Sequence, residues 1–262
     1  MRKIDPLNGV SLRVQSLFQE TVLSDATGFV VKQQDTHFLI TNWHVVTGRH
    51  AKTGNLLSAS AAVPNKIRIF HHSSRVFNEW VIIDEPLETS EKLHWIVHPN
   101  HSDSNIIDVV AVPLSNINSQ VTINPLDLTL SDTRNVAVQP SMAVSIIGYP
   151  HGLSVEGGWP IWKTGHIASD PVLNYDGKNM FLIDASTRGG MSGSPVILRS
   201  MGSYLTKQGD FSFGTGIVDI FLGVYASRTE MPHGREKDLS SDIGMVWKPN
   251  LINEILTSAK TL

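Results

Sequence analysis

A serine hydroxyl is a poor nucleophile at neutral pH. It needs a base beside it and donors for the oxyanion it creates. The run Gly189-Gly190-Met191-Ser192-Gly193-Ser194-Pro195 supplies a serine in a backbone able to serve it. Glycines flanking a serine permit shapes that other residues resist, so a turn can aim two N–H groups at one point and leave the hydroxyl exposed. Alone, the cluster reads equally well as a Gly/Ser-rich surface turn. His44 closes an apolar stretch, Leu39-Ile40-Thr41-Asn42-Trp43-His44-Val45-Val46, as suits a ring held at the mouth of a barrel. A single histidine there is more often structural. Asp108 is embedded in Asn105-Ile106-Ile107-Asp108-Val109-Val110-Ala111-Val112, where a carboxylate is costly unless paired. It either caps a turn or holds an imidazole by its Nδ1 side. Ser194 rivals Ser192 only by proximity.

Taken together the three residues say more. Histidine, aspartate and serine follow one another in the order of the chymotrypsin arrangement, each within or at the edge of a β run. The segments around them resemble the trypsin/chymotrypsin-like serine peptidases, above all the bacterial, disulfide-free HtrA-like proteases and glutamyl endopeptidases. TNWHVV (41–46) resembles the histidine motif TNxHVV. HPN (98–100) followed by IIDVVAV resembles the aspartate stretch, and DASTRGGMSGSPV (184–196) resembles DLSTTGGNSGSPV around the nucleophile. IIGYP (146–150) and LGVYAS (222–227) resemble an early strand of the second barrel and the strand that binds substrate backbone.

The resemblance implies an all-β fold of two packed antiparallel six-stranded β-barrels, chymotrypsin-like, with a C-terminal helix. It implies a serine endopeptidase working through an acyl-enzyme. Ser192 is then the nucleophile, His44 the general base and Asp108 the carboxylate that fixes the imidazole tautomer. The N–H groups of Gly190 and Ser192 form the oxyanion hole. Ser186, Thr187, Tyr225, Ala226 and Ser227 line the substrate site. Three departures qualify the match. Met191 replaces the usual Asn or Asp of the turn. Tyr225 stands where glutamyl endopeptidases read an acidic side chain with a histidine, so strict glutamate specificity is not expected. Ala226 replaces a serine that supports the aspartate, so Asp108 must lean on other donors. Ser186 at the pocket base argues against an Arg/Lys preference, and Arg188 and Arg228 are read as solvated rim residues. The alternative function is a partner-activated or catalytically silent protease-fold binding module.

The elements needed to position these groups are visible as short apolar runs punctuated by glycine and proline, a pattern of many strands. Residues 11–20 suit a short helix or a strand. GFVVKQQDTHFLITNWHVV has the two runs and polar turn of a hairpin, and KIRIF, WVIID, LHWIV and IIDVVAVPL continue the series. The expected units are an N-terminal barrel over 10–115, a linker over 116–135, a C-terminal barrel over 136–248 and a helix over 249–262, in a single 1–262 peptidase. Asn250 is a fair N-cap, and Leu251, Ile252, Ile255 and Leu256 share one helical face.

Composition narrows the setting. The 262 residues carry a net charge of −3 and no basic stripe, so nucleic acid is not an expected partner. No run is long and apolar enough to span a membrane, and Asp5, Pro6 and Asn8 interrupt any secretory core near Met1. Cysteine is absent, which favours a reducing, cytoplasmic compartment. The expected partners are a protein or peptide substrate and an activating protein. No cofactor or metal is expected. His94, His98 and His101 have helical zinc-site spacing, but Pro99 interrupts the series. His71 and His72 are expected at the surface, and Trp43, Trp80, Trp95 and Phe221 in strands or core.

Overall fold

The computed structural model describes residues 4–58, 61–88, 93–132, 135–229 and 242–258. The first half is built from β1 (Ser11–Phe18), β2 (Thr21–Gln33), β3 (Thr36–Thr41), the short helix α1 (Trp43–Thr47), β4 (Lys66–Ser73), β5 (Trp80–Pro86), β6 (Ile96–Val97), β7 (Val110–Pro113) and β8 (Val121–Thr122). The second half contains β9 (Ala143–Gly148), β10 (Ile161–Ile167), β11 (Met180–Asp184), β12 (Pro195–Leu205), β13 (Phe211–Arg228) and β14 (Ile243–Trp247), followed by helix α2 (Asn250–Ser258). Of the ambiguous residues 11–20, Ser11–Phe18 form a strand and the last two a turn. Of the helix expected over 249–262, Pro249 is a turn residue and residues 259–262 lie outside the described residues.

The second half is the six-stranded closed barrel expected, in the order β10-β11-β14-β13-β12-β9. The first half is an eight-stranded antiparallel sheet in the order β5-β4-β1-β2-β3-β7-β6, with β8 added to β4. Two of its strands, β6 and β8, are only two residues long. The architecture is chymotrypsin-like.

The near-continuous apolar runs are strands buried on both faces. On β3, Phe38 and Ile40 face one cluster and Leu39 another. On β7, Ala111 faces the first and Val110 and Val112 the second. Strand alternation thus feeds two cores at once. One core fills the first half, through Leu12, Val14, Ile67 and Ile69; one fills the barrel, through Ile146, Phe181, Ile183 and Val246. The third is the seam between the halves. There Phe29 meets Phe221 edge-on at 5.5 Å between ring centroids. Leu251, Ile252, Ile255 and Leu256 of α2 belong to this seam cluster, as the helical face implied. A salt bridge from Arg199 on β12 to Asp5, with Asp219 on its other side, ties the start of the described chain to the barrel.

His71 and His72 are not at the surface. They lie at positions six and seven of β4, with relative exposures of 0% and 6%. His71 follows Ile67 and Ile69 onto the inward face of the strand. His72 is sandwiched between Trp80 and Trp159, with centroids 5.3 and 4.2 Å away. The polar residues after them mark only the hairpin tip, which is why the local sequence misleads.

Candidate active site

His44 sits not at the end of a strand but on α1, one turn long. Gly48, with φ of 63°, stops the helix by donating its N–H to His44 O. Trp43, Val45 and Val46 are buried, and His44 is the partly exposed residue of the helix. Asp108 lies in the extended stretch before β7, outside any ladder, and is 3% exposed. Its main-chain oxygen accepts from Asn42 Nδ2 at 2.6 Å. Its carboxylate accepts from the His44 backbone N–H at 2.9 Å and lies 2.8 Å from His44 Nδ1. The donor expected in place of the serine at 226 is therefore the main chain of His44 itself. Burial opposes protonation of this imidazole, but the Asp108 charge and hydrogen bond outweigh it, and the His44 pKa lies above its ordinary value.

Ser192 lies in the turn between β11 and β12, half-buried. Ser194, its rival, is 0% exposed, so solvent and substrate cannot reach it, and among the described residues its hydroxyl has no hydrogen-bond partner. Met191 is also fully buried and packs into the barrel core beside Phe181 and Val246. The residue that departs from the family motif thus anchors the turn by an apolar side chain. Gly190 has φ of 92°, and a Cβ there would meet Tyr149 O at 2.3 Å, so no other residue fits this place without distortion. The N–H groups of Gly190 and Ser192 donate to no protein acceptor among the described residues. Their directions follow from the carbonyls behind them. Gly189 O is held by the His151 N–H at 2.6 Å and Met191 O by the Ser194 N–H at 3.0 Å. In a trans peptide the N–H points opposite its C=O, so both amides face away from these anchors. Among the described residues Ser192 Oγ has no hydrogen bond to His44; such bonds often tighten only around substrate.

A matching family model, the trypsin-like peptidase domain, spans residues 26–204, from β2 through β12. This chain belongs to the trypsin-like peptidases. No curated protein matches it. Among solved structures, the serine endoprotease from Yersinia pestis is similar over 98% of this chain and 67% of its own, with 14% identity and a TM-score of 0.52. A thermostable serine protease, AL20, from an extremophilic microorganism is similar over 98% and 100%, with 10% identity and a TM-score of 0.52. At such identities the likeness speaks for the fold.

The other sequence candidates in this trypsin-like peptidase separate by burial. Thr187 and Tyr225 are 1% and 2% exposed, and their hydroxyls lie 2.5 Å apart. Burial pushes the Tyr225 phenol above its ordinary range, the Thr187 hydrogen bond opposing it. Ala226 is buried, Ser227 half-buried and Ser186 exposed. Tyr225 borders the turn through its main chain, which accepts from Gly193 N–H and donates to Ser194 O, each at 2.9 Å. Arg188 is not simply solvated: its guanidinium donates to Thr187 O at 2.8 Å. His98 pairs with Glu254 of α2 at 2.5 Å, and His101 lies against Trp43 and accepts the Ile107 N–H. Among the described residues no three metal-ligating side chains converge, and no helix is long and apolar enough to cross a membrane. Thr27 was missed in the sequence. It opens the apolar run of β2 and carries no local signal, yet its N–H and hydroxyl both reach the serine turn.

Proposed function

We propose that the protein is a serine endopeptidase that cuts protein or peptide substrates through an acyl-enzyme. His44 Nε2 takes the Ser192 proton as Oγ attacks the scissile carbonyl, and later returns a proton to the leaving amine. Asp108 holds Nδ1 in the protonated tautomer and stabilises the imidazolium. The Gly190 and Ser192 amides receive the oxyanion, each such donor typically contributing about 3 kcal/mol. The observation that carries this reading is the buried Asp108 carboxylate, which grips both the backbone and the ring of His44 while leaving Nε2 free to act. The absence of cysteine supports work in a reducing compartment such as a cytoplasm.

The test is labelling of the purified protein with a fluorophosphonate probe, alongside cleavage of fluorescein-labelled casein. Ser192→Ala is expected to abolish both, a loss on the order of a million-fold in kcat. Labelling that persists in the variant would move the nucleophile elsewhere. The second reading, a peptidase shell completed only by a protein partner, rests on the unmade bond between Ser192 and His44. Purified protein that cleaves casein unaided overturns it.

A further inference from the structure

We propose that Thr27 is a positioning residue that, from the opposite half of the molecule, braces the peptide planes following both candidate oxyanion amides, so that Gly190 and Ser192 cannot turn those amides away. The inference rests on the peptidase reading above. Four consecutive carbonyls of the serine turn, those of residues 189 to 192, each accept one hydrogen bond. His151 N–H holds Gly189 O and Ser194 N–H holds Met191 O. The other two belong to Thr27: its hydroxyl donates to Gly190 O at 2.8 Å and its N–H to Ser192 O at 2.8 Å. The peptide planes on both sides of Gly190, and on both sides of Ser192, are thereby fixed.

The hydroxyl's role is unambiguous. It has one hydrogen, and its other contact is with the Tyr149 N–H, for which it is the acceptor at 3.1 Å. The hydrogen therefore goes to Gly190 O. β-Branching limits the rotamers through which that hydroxyl can swing. The residue it restrains is a glycine at φ of 92°, which would rotate most easily if released. Thr27 is 0% exposed, so no water replaces a lost bond without rearrangement.

Thr27 also reaches back toward the base. Its carbonyl accepts from Thr41 Oγ1 at 2.9 Å, at the end of β3. The next residue, Asn42, donates to the Asp108 carbonyl and precedes the helix that carries His44. One buried threonine thus joins the backbone that aims the amides to the segment that aims the imidazole.

The experiment compares Thr27→Val and Thr27→Ser in the full chain. Readouts are kcat and KM on fluorescein-labelled casein, fluorophosphonate labelling rate and thermal melting. Thr27→Val is expected to lower kcat and labelling about 10- to 100-fold, the scale of a slightly misplaced catalytic group, with KM changed less than about threefold. Thr27→Ser keeps the hydroxyl and is expected to hold kcat within about threefold of the parent. A purely structural role would lower the melting temperature and leave kcat of the folded protein unchanged. Full kcat in the valine variant, or an equal loss in the serine variant, overturns the inference while leaving the peptidase reading intact. A parent protein inert to the probe overturns both. If Thr27→Val does not fold, Thr27→Ala takes its place against Thr27→Ser, with the same outcomes.

Discussion

The two halves hold their share of the site by different means. In the first, orientation comes from side-chain charge: the buried Asp108 carboxylate grips both the backbone and the ring of His44. In the second, orientation comes from main-chain carbonyls and an apolar anchor, Met191, with no ionisable side chain among residues 189–194. Charge-based positioning answers to pH and yields to an isosteric substitution that removes the charge. Backbone positioning is indifferent to pH and yields to an added Cβ.

Substitutions can sharpen that contrast. The largest effect is expected from Asp108→Asn, which keeps the shape but presents the wrong tautomer: kcat on labelled casein should fall about 10⁴-fold. A loss below about tenfold would show that the carboxylate does not govern the base. Next, Gly190→Ala should cost about 10²- to 10³-fold, the scale of one oxyanion donor, since its Cβ would strike Tyr149 O at 2.3 Å. Its pH profile should keep the parent's shape. A displaced profile would mean that the backbone half is electrostatically coupled after all.

Within the first half, burial alone and burial with a partner give opposite results. His71, buried with both ring nitrogens unpartnered among the described residues and with His72 beside it, has its pKa lowered to about 4. The unfolded chain therefore binds more protons than the fold between that value and about 6.5, so stability is full above this window and drains as pH falls through it, by up to about 3 kcal/mol. His71→Leu should flatten the decline in denaturant-measured stability from pH 7 to 4.5. An unchanged decline assigns acid sensitivity to other groups. The smallest effect concerns His44. Its pKa is raised, so the neutral base is lost from a higher pH downward, and the acid limb of kcat/KM should lie above about 6.5. A limb at or below that value contradicts the Asp108 coupling.

The sequence made much of this readable. The fold class followed from glycine- and proline-punctuated apolar runs, and α2 from the spacing of Leu251, Ile252, Ile255 and Leu256. The candidate His44, Asp108 and Ser192 followed from motif and order. What escaped was whatever depends on the far side of a strand. His71 and His72 precede polar residues and read as surface; only the fold shows them enclosed, His71 on the inward face of β4 and His72 between Trp80 and Trp159. The run 106–114 reads as one strand, but its first four residues leave the ladder, freeing Asp108 for His44. Thr27 escaped because its partners, Gly190 and Ser192, lie more than 160 residues away, beyond any periodicity. Local signals report what a residue prefers, not what another segment will ask of it.

Helix α2 follows the last strand of the barrel yet packs on β6 and β7 of the first half. A chain elongated only through Trp247 would already contain every group of the proposed site. It would still leave an oily trough between its lobes uncovered. Synthesis must run past Ile252 and Ile255 before that trough is roofed, so the alignment of the two lobes is completed only after every strand of the barrel has emerged.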